Sequence, residues 1–405
     1  MKSHQIDKCR VCKSTLNKPF FSLGSLPPAN NLPESSSEYE DKYPLELVFC
    51  NKCTLVQLNY AVNPEKLFSN YLYSSTSGML ADHFSNYVHD VSKTIGLTQD
   101  SIVLDIGSND GLLLQCFKKY ITSNVVGVEP SSNFANIANF NNIKTYCEFF
   151  SNKTVEKISE QFGQIDLITA NNVFAHIEDI TTLTKNVKNL LKDDGVLVIE
   201  VPYLNHMIEI GTFDLVYHEH LSYFSITPLH YFFKNHQMDI FKVENISTHG
   251  GSVRLFVKKN NGSNSINNSV KNYLNQEKHL TDVNIYNSFK KNIHNSVLDF
   301  RKKLVSIREK GNSIAGYAAP AKASTLLGYS NIDRNIIEYI IDDNPLKQGR
   351  FLPGTKIPIV STDSLKNKLP DYFVILAWNL ENIIKNKLEK IAEKKLNFIV
   401  PFVSL

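Results

Sequence analysis

Several things are scarce in this 405-residue chain. No stretch approaches the ~20 consecutive apolar residues that a membrane-spanning helix needs. The opening Met1-Lys2-Ser3-His4-Gln5 leads into no apolar run of the kind a secretory signal carries. No membrane partner and no signal peptide are therefore expected, and the expected location is the cytoplasm. Charge of one sign is also missing. The 43 Lys and Arg nearly balance 40 Asp and Glu, for a formal net charge of +3, and no dense basic block occurs. A nucleic-acid partner is not expected on that footing. Hydrophobic residues make up 42% of the chain, which argues against overall disorder. The length suits two or three domains.

Cysteine is sparse, but its placement is informative. Four of the six fall in two C-x-x-C pairs, Cys9/Cys12 and Cys50/Cys53. That spacing turns two thiolates toward one metal, and two such pairs make a tetrahedral sulfur site for zinc. The long interval between them must loop out, and Ser25-Leu26-Pro27-Pro28-Ala29-Asn30-Asn31 reads as that loop. A disulfide or a redox pair is the competing reading, and a cytosolic chain argues against disulfides. With every position filled by protein, the zinc is expected to be structural. Cys116 and Cys147 fall on predicted core faces and read as small buried hydrophobes.

The chain is organised around Val103-Leu104-Asp105-Ile106-Gly107-Ser108-Asn109-Asp110-Gly111. A buried strand over 101–106 breaks into a turn of small residues, and a helix is predicted from Leu112 to about Tyr120. A parallel strand feeding a helix through glycines leaves backbone N–H groups open to a ligand. A second strand, Val125 to Val128, ends in Glu129, whose carboxylate can bind both hydroxyls of a ribose. The spacing departs from the G-x-G-x-x-G of dinucleotide sites. Asp105, Gly107, Asn109 and Gly111 with Glu129 resemble the S-adenosylmethionine (SAM) site of class I methyltransferases. A turn kept for packing alone is the alternative.

Around this turn the predicted elements alternate. A helix is expected over about 79–95, and strands at 101–106, 125–129, 165–170 and 195–201, with a weaker one near 143–149. This implies a mostly parallel sheet with right-handed crossovers. Met238–Ile246 and Ser252–Lys259 read as two strands that either close this sheet or open the last domain. Residues 260–275, rich in Asn, Ser and Gly, read as a linker. A helix over about 284–310 carries one apolar stripe. Further strands are expected at Ser313–Tyr317, Ile336–Ile341, Tyr372–Ala377 and Phe398–Phe402, with a helix from about Ala321. The turn Gly316–Ser324, with Lys322, suits a phosphate group or serves packing. Asp342-Asp343-Asn344-Pro345 sits at a strand end, where ligands commonly bind.

Two stretches carry unusual polar density: Asn171-Asn172-Val173-Phe174-Ala175-His176 and Tyr217-His218-Glu219-His220. Both follow strands and should meet over the cofactor. Methyl transfer to carbon requires that the carbon first become a nucleophile. Beside a ketone, a base takes the α-proton while a donor holds the enolate oxygen. Histidine suits the base, its pKa being near neutral. Tyr217, Glu219 and His220, with His176 opposite, supply these residue types. A satisfied structural histidine is the bland reading for either His218 or His220.

In their order, these pieces resemble the three-domain sugar C-methyltransferases of deoxysugar biosynthesis, which act on nucleotide-linked 4-keto-deoxyhexoses. The likeness spans nearly the whole chain and includes His249-Gly250-Gly251, Pro353-Gly354, Ile357-Pro358 and Ala377-Trp378-Asn379. It implies an α/β protein with a class I methyltransferase Rossmann-like sheet (73–260). A zinc-binding domain (1–72) would precede it and a second Rossmann-like domain (261–405) follow. It further implies that Tyr71, His176, Tyr217, Glu219 and His220 surround the sugar, with His220 as base taking the proton at C-3. Asn171 and Asn172 would join the cofactor site. The C-terminal unit would hold the nucleotide diphosphate, with His249, Lys322 and Asn344 toward the substrate. SAM and structural zinc are the implied cofactors, a nucleotide-linked ketosugar the partner, and a monomer the expected state. O- or N-methylation of a sugar or other metabolite remains the competing reading, and a zinc-ribbon scaffold with a degenerate core the more distant one.

Overall fold

The computed structural model of the chain describes residues 2–69, 80–366 and 369–401, without the side chains of residues 80, 81 and 249. The first segment builds a small antiparallel sheet from β1 (Phe21–Leu26), β2 (Tyr43–Phe49) and β3 (Val56–Leu58). The cysteine pairs lie at its end in two matching turns. Lys13 N–H donates to Cys9 O and Thr54 N–H to Cys50 O, at 2.9 and 2.8 Å. Cys9 N–H donates to Ser14 O and Cys50 N–H to Leu55 O. Lys13 and Thr54 both take a left-handed backbone, with φ of 59° and 66°.

After the helix Leu80–Ile95, the central sheet follows as β4 (Val103–Ile106), β5 (Val125–Val128), β6 (Thr145–Tyr146), β7 (Ile165–Asn171) and β8 (Leu191–Pro202). Every residue of β4 and β5 is buried, as a strand covered by helices on both faces requires. Ser222–Tyr223 forms β9, which leaves this unit and pairs antiparallel with β3. The chain then returns as β10 (Met238–Ile246) and β11 (Ser252–Lys259). Among the described residues the central order is β10-β11-β8-β7-β4-β5-β6. The two late strands thus close the methyltransferase sheet, β11 pairing antiparallel with β8 from Val196↔Lys258 to Pro202↔Ser252. The order reverses between β4 and β7, and ligands of open α/β sheets bind beyond the carboxyl ends of the strands at such a reversal.

The long helix Val283–Glu309 leads into the last sheet: β12 (Ile314–Tyr317), β13 (Ile340–Ile341), β14 (Phe351–Leu352), β15 (Ile357–Val360), β16 (Tyr372–Ile375) and β17 (Asn397–Ile399). Its order, β14-β15-β13-β12-β16-β17, reverses between β12 and β16. The strand expected at Ile336–Ile341 shrinks to its last two residues, because Asp333 O accepts the N–H groups of Ile336 and Ile337 and closes a turn. Cys116 is buried as expected, whereas Cys147 is exposed, because it lies just past the two-residue edge strand β6.

The cores do not follow the order of the chain. Cys9, Cys50 and Cys53 pack with the central sheet. Phe21, Leu45 and Leu58 pack instead with Phe213, Val216 and Leu221, the long helix and the last sheet. The first segment is therefore wedged between the two α/β units, and the stretch 212–225 is buried where all three meet.

Candidate functional site

The cofactor turn is built as its sequence requires. Gly107 (φ 69°) and Gly111 (φ 79°) are left-handed, as is Asn109 (φ 49°). A Cβ on Gly107 would lie 2.4 Å from Val173 Cγ2, so glycine alone lets the turn close against the loop after β7. Glu129 is buried, with one oxygen accepting Asn109 N–H at 2.9 Å and the other Ser131 N–H at 2.8 Å. A carboxylate has about four lone-pair sites, which leaves Glu129 capacity for ribose hydroxyls. Burial raises its pKa, against the pull of those two N–H groups. Burial likewise pushes Asp105 up to about 7, although Thr169 Oγ1 donates to it at 2.6 Å. Two desolvated acids, with a glycine-floored turn between them, fit a ligand bearing hydroxyl and ammonium donors.

Asn171 ends β7. Its side-chain oxygen accepts from Tyr87 Oη at 3.3 Å, and its buried Nδ2 has no partner among the described residues. Asn172 takes φ 55°, and its N–H donates to Glu200 O. Behind Asn171 lies a network the sequence did not announce. Glu200 binds Arg254 Nε at 2.7 Å and His83 Nε2 at 3.1 Å, and the Arg254 guanidinium lies 4.2 Å from the Tyr87 ring centre. These residues are scattered from 83 to 254, so only pairing of β8 with β11 could reveal them.

The expected histidine and tyrosine cluster sits beyond β7 and β8. His220 Nδ1 lies 2.8 Å from Leu215 O. A carbonyl only accepts, so Nδ1 carries the hydrogen and Nε2 of the neutral ring is the acceptor nitrogen. Tyr217 Oη donates to that Nε2 at 2.8 Å. The His176 ring stacks on His220, with centres 5.1 Å apart and planes 27° from parallel, and Phe68 stacks on His176. Glu219 is buried, its pKa raised by desolvation, and accepts Asn30 Nδ2 at 2.9 Å. Asn30 comes from the loop between the cysteine pairs, and spacing offered no sign of its role. Tyr71 lies outside the described residues.

His218 is structural. It is buried against Tyr43, and Nε2–H donates to Tyr43 O at 3.2 Å. Burial pushes its pKa down from 6.5 to about 4. Below about pH 6.5 the unfolded chain takes up a proton that the folded one refuses until about pH 4. This contribution is whole above that window and is lost as pH falls through it, reaching ~3 kcal/mol. In urea titrations, the stability gap between wild type and His218→Gln should narrow from pH 7.5 to pH 5. A gap independent of pH would contradict a buried neutral imidazole.

At the last sheet, Lys322 is buried on the helix after β12. Its ammonium lies 4.1 Å from the Trp378 ring centre and bonds to Asn379 Oδ1. Burial lowers its pKa to about 8, opposed by Asp214. Asp214 is itself pushed up to about 6 by burial, and Trp378 Nε1 donates to it at 2.7 Å. Gly250 explains part of its motif, since a Cβ there would lie 2.2 Å from Trp378. The tip between β10 and β11 thus rests on the same tryptophan as Lys322. The side chain of His249 lies outside what is described. Asn344 serves the turn after β13: its N–H donates to Asp342, and its Oδ1 accepts Leu346 N–H. The Gly316–Ser324 turn is tied to the same carboxylate, with Ala319 N–H donating to Asp342 at 2.6 Å.

The four cysteine sulfurs lie within 4.8 Å of one another, with Cys9 to Cys53 at 3.4 Å and Cys12 to Cys50 at 3.5 Å. A zinc tetrahedron with Zn–S of about 2.3 Å has edges of roughly 3.8 Å, so the donor set fits. Cys9 is drawn down to about 5 by the hydrogen bond from Cys53, which is pushed up in turn.

Three family models match the chain: a zinc binding domain over residues 9–68, a methyltransferase domain over 80–243, and a C-methyltransferase C-terminal domain over 247–402. The C-methyltransferase NovU of Streptomyces niveus is 33% identical over 401 residues, spanning 98% of this chain and 95% of that protein. The chain belongs to the SAM-dependent C-methyltransferase family. A SAM-dependent methyltransferase from Clostridium acetobutylicum ATCC 824 aligns at 14% identity over 44% of this chain and 92% of its own, with a TM-score of 0.36. Magnesium protoporphyrin IX methyltransferase from Synechocystis PCC 6803, solved with SAM, aligns at 11% identity over 44% of this chain and 77% of its own, with a TM-score of 0.32. This C-methyltransferase is a class I Rossmann-like enzyme that uses SAM, preceded by a four-cysteine zinc-binding module. No helix among its described residues is long and apolar enough to cross a membrane.

Proposed function

We propose that the enzyme methylates the carbon beside the ketone, C-3, of a nucleotide-linked 4-keto-deoxysugar, with His220 as base. The reading takes the chain as a zinc module to about residue 72, a cofactor unit to about 260 and a nucleotide-holding unit thereafter. The observation that carries it is the tautomer of His220. Leu215 O holds the Nδ1 hydrogen, so a basic Nε2 faces Tyr217 Oη beyond the ends of β7 and β8. With substrate bound, Nε2 takes the α-proton, and Tyr217 and His176 stand where donors can hold the enolate oxygen. Placed acid–base groups contribute about 10²–10⁴ in rate, and a held oxyanion a comparable factor.

Asp105, Glu129 and Asn171 would hold SAM around Gly107. When bound, SAM supplies an electrophilic methyl group for the carbanion that His220 creates. Lys322 beside Trp378 supports a diphosphate-linked substrate, as a buried cation next to an aromatic face suits a phosphate and a base or sugar ring. The name of the relative, a C-methyltransferase, favours carbon over oxygen or nitrogen as acceptor.

The test is product analysis. Incubation with SAM and a panel of nucleotide-linked 4-keto-deoxysugars should give a product heavier by one methylene, with NMR placing a methyl on a quaternary carbon. A methyl on oxygen or nitrogen would overturn the reading.

A further inference from the structure

The zinc module does more than cap one end of the molecule, because a side chain between its metal ligands reaches the backbone of the acid–base stretch. Arg10 lies between Cys9 and Cys12, and only 3% of it is exposed. Its Nη1 donates to Leu58 O at 2.8 Å and to Leu221 O at 2.9 Å. Its backbone N–H donates to Gln57 Oε1 at 2.8 Å, and Gln57 is the residue that pairs with Ser222 in the β3–β9 ladder. Leu58 N–H also donates to Leu221 O, at 3.0 Å. On the other side of the same residue, Leu221 N–H donates to Ala175 O at 2.9 Å. Leu221 is thus pinned at both backbone groups. One tie runs to the module and the other to the loop that carries His176. Its chain neighbour is His220.

A guanidinium so deeply buried needs a compensating charge. With zinc bound, its four thiolates would carry a net negative charge on the residues that flank Arg10 in the chain. Its Nε and Nη2 have no partner among the described residues, so the charge is balanced through space, and Nη1 carries the directional bonds.

We infer that Arg10 is a positioning residue: it links the zinc site to Leu221, and through Leu221 fixes the stacked His220 and His176 rings in register. The inference rests on the reading of His220 as base. It makes the metal a determinant of imidazole placement as well as of fold. Misplacement by about 1 Å at a reacting group can cost about 100-fold in rate, so a tether one residue away has leverage on turnover.

The experiment uses the full-length, zinc-loaded enzyme as wild type, Arg10→Met and Arg10→Lys, each labelled with ¹⁵N-histidine. Zinc content, S-adenosylhomocysteine affinity by calorimetry, turnover on the ketosugar and the His220 ring signals are measured on each. Arg10→Met should keep its zinc and bind S-adenosylhomocysteine within about twofold of wild type. Its kcat should fall about 10–100-fold, and the His220 nitrogen signals should shift or broaden. Arg10→Lys, which keeps the charge and one donor, should fall between the two. If zinc is retained and both kcat and the His220 signals match wild type, the inference is wrong. Loss of zinc and of S-adenosylhomocysteine binding together in both variants would overturn it too, leaving Arg10 a residue that only holds the module together. Should Arg10→Met not fold, Arg10→Lys decides by the same readouts. Ring signals report placement without turnover. A failure here is therefore distinct from a failure of the base assignment, which shows as solvent exchange persisting in His220→Asn.

Discussion

Replacing His220 with asparagine should reduce methylation by about 10³-fold and abolish deuterium exchange at the sugar α-carbon to the same degree. The substitution is chosen for its geometry. An asparagine Nδ2 lies near the position of the imidazole Nδ1 and can still donate to Leu215 O, the bond that holds the native ring. It offers no basic nitrogen toward Tyr217. The backbone of 212–225, tied to Thr325 through Val216 O and to the zinc module through Leu221 O, should stay in place. Binding of S-adenosylhomocysteine should be unchanged, because the cofactor turn at 105–111 and Glu129 belong to other elements. Exchange continuing at the wild-type rate in the variant would assign proton removal to another group. Exchange lost with methylation intact would be inconsistent with a carbanion altogether.

The second large effect is expected at the zinc site. Cys50→Ser should release the metal and destabilise the enzyme by more than about 4 kcal/mol, the range reached when a structural metal is lost. Packing predicts that the damage spreads. Cys9, Cys50 and Cys53 sit in the same core as the central sheet, and β3 holds β9 by two paired residues. Release of the metal should therefore loosen 220–223 along with residues 9–55. Zinc content by mass spectrometry and thermal unfolding in the presence and absence of a chelator measure both parts. A metal-free Cys50→Ser enzyme with the melting temperature and turnover of wild type would refute a folding role for the ion.

Much of this was readable from local pattern. The turn from Asp105 to Gly111 could be found because strand, left-handed glycines and helix start are contiguous and each constrains a few adjacent residues. The cysteine pairs were readable for the same reason, since one metal demands a fixed spacing within each pair. His220 stood out by residue type at a strand end. Asn30, Arg10, Asp214 and the Glu200–Arg254 pair did not, because each acts on a partner far away in sequence. Cys147 was misplaced because the edge strand beside it is too short to carry an alternating face.

The sequence alone determined the cysteine quartet, the glycine turn after β4 and the residue types of the Tyr217–His220 stretch, because short-range sterics and coordination chemistry act between neighbours in the chain. Tertiary structure decided which hydrogen bonds those residues make. Leu215 O, five residues before His220, selects the imidazole tautomer only because the stretch folds back on itself. Strand β9 joins the zinc module's sheet although most of its neighbours in sequence belong to the central unit. A single buried stretch clamped by three units satisfies its backbone from whatever surrounds it, and nothing local records those partners.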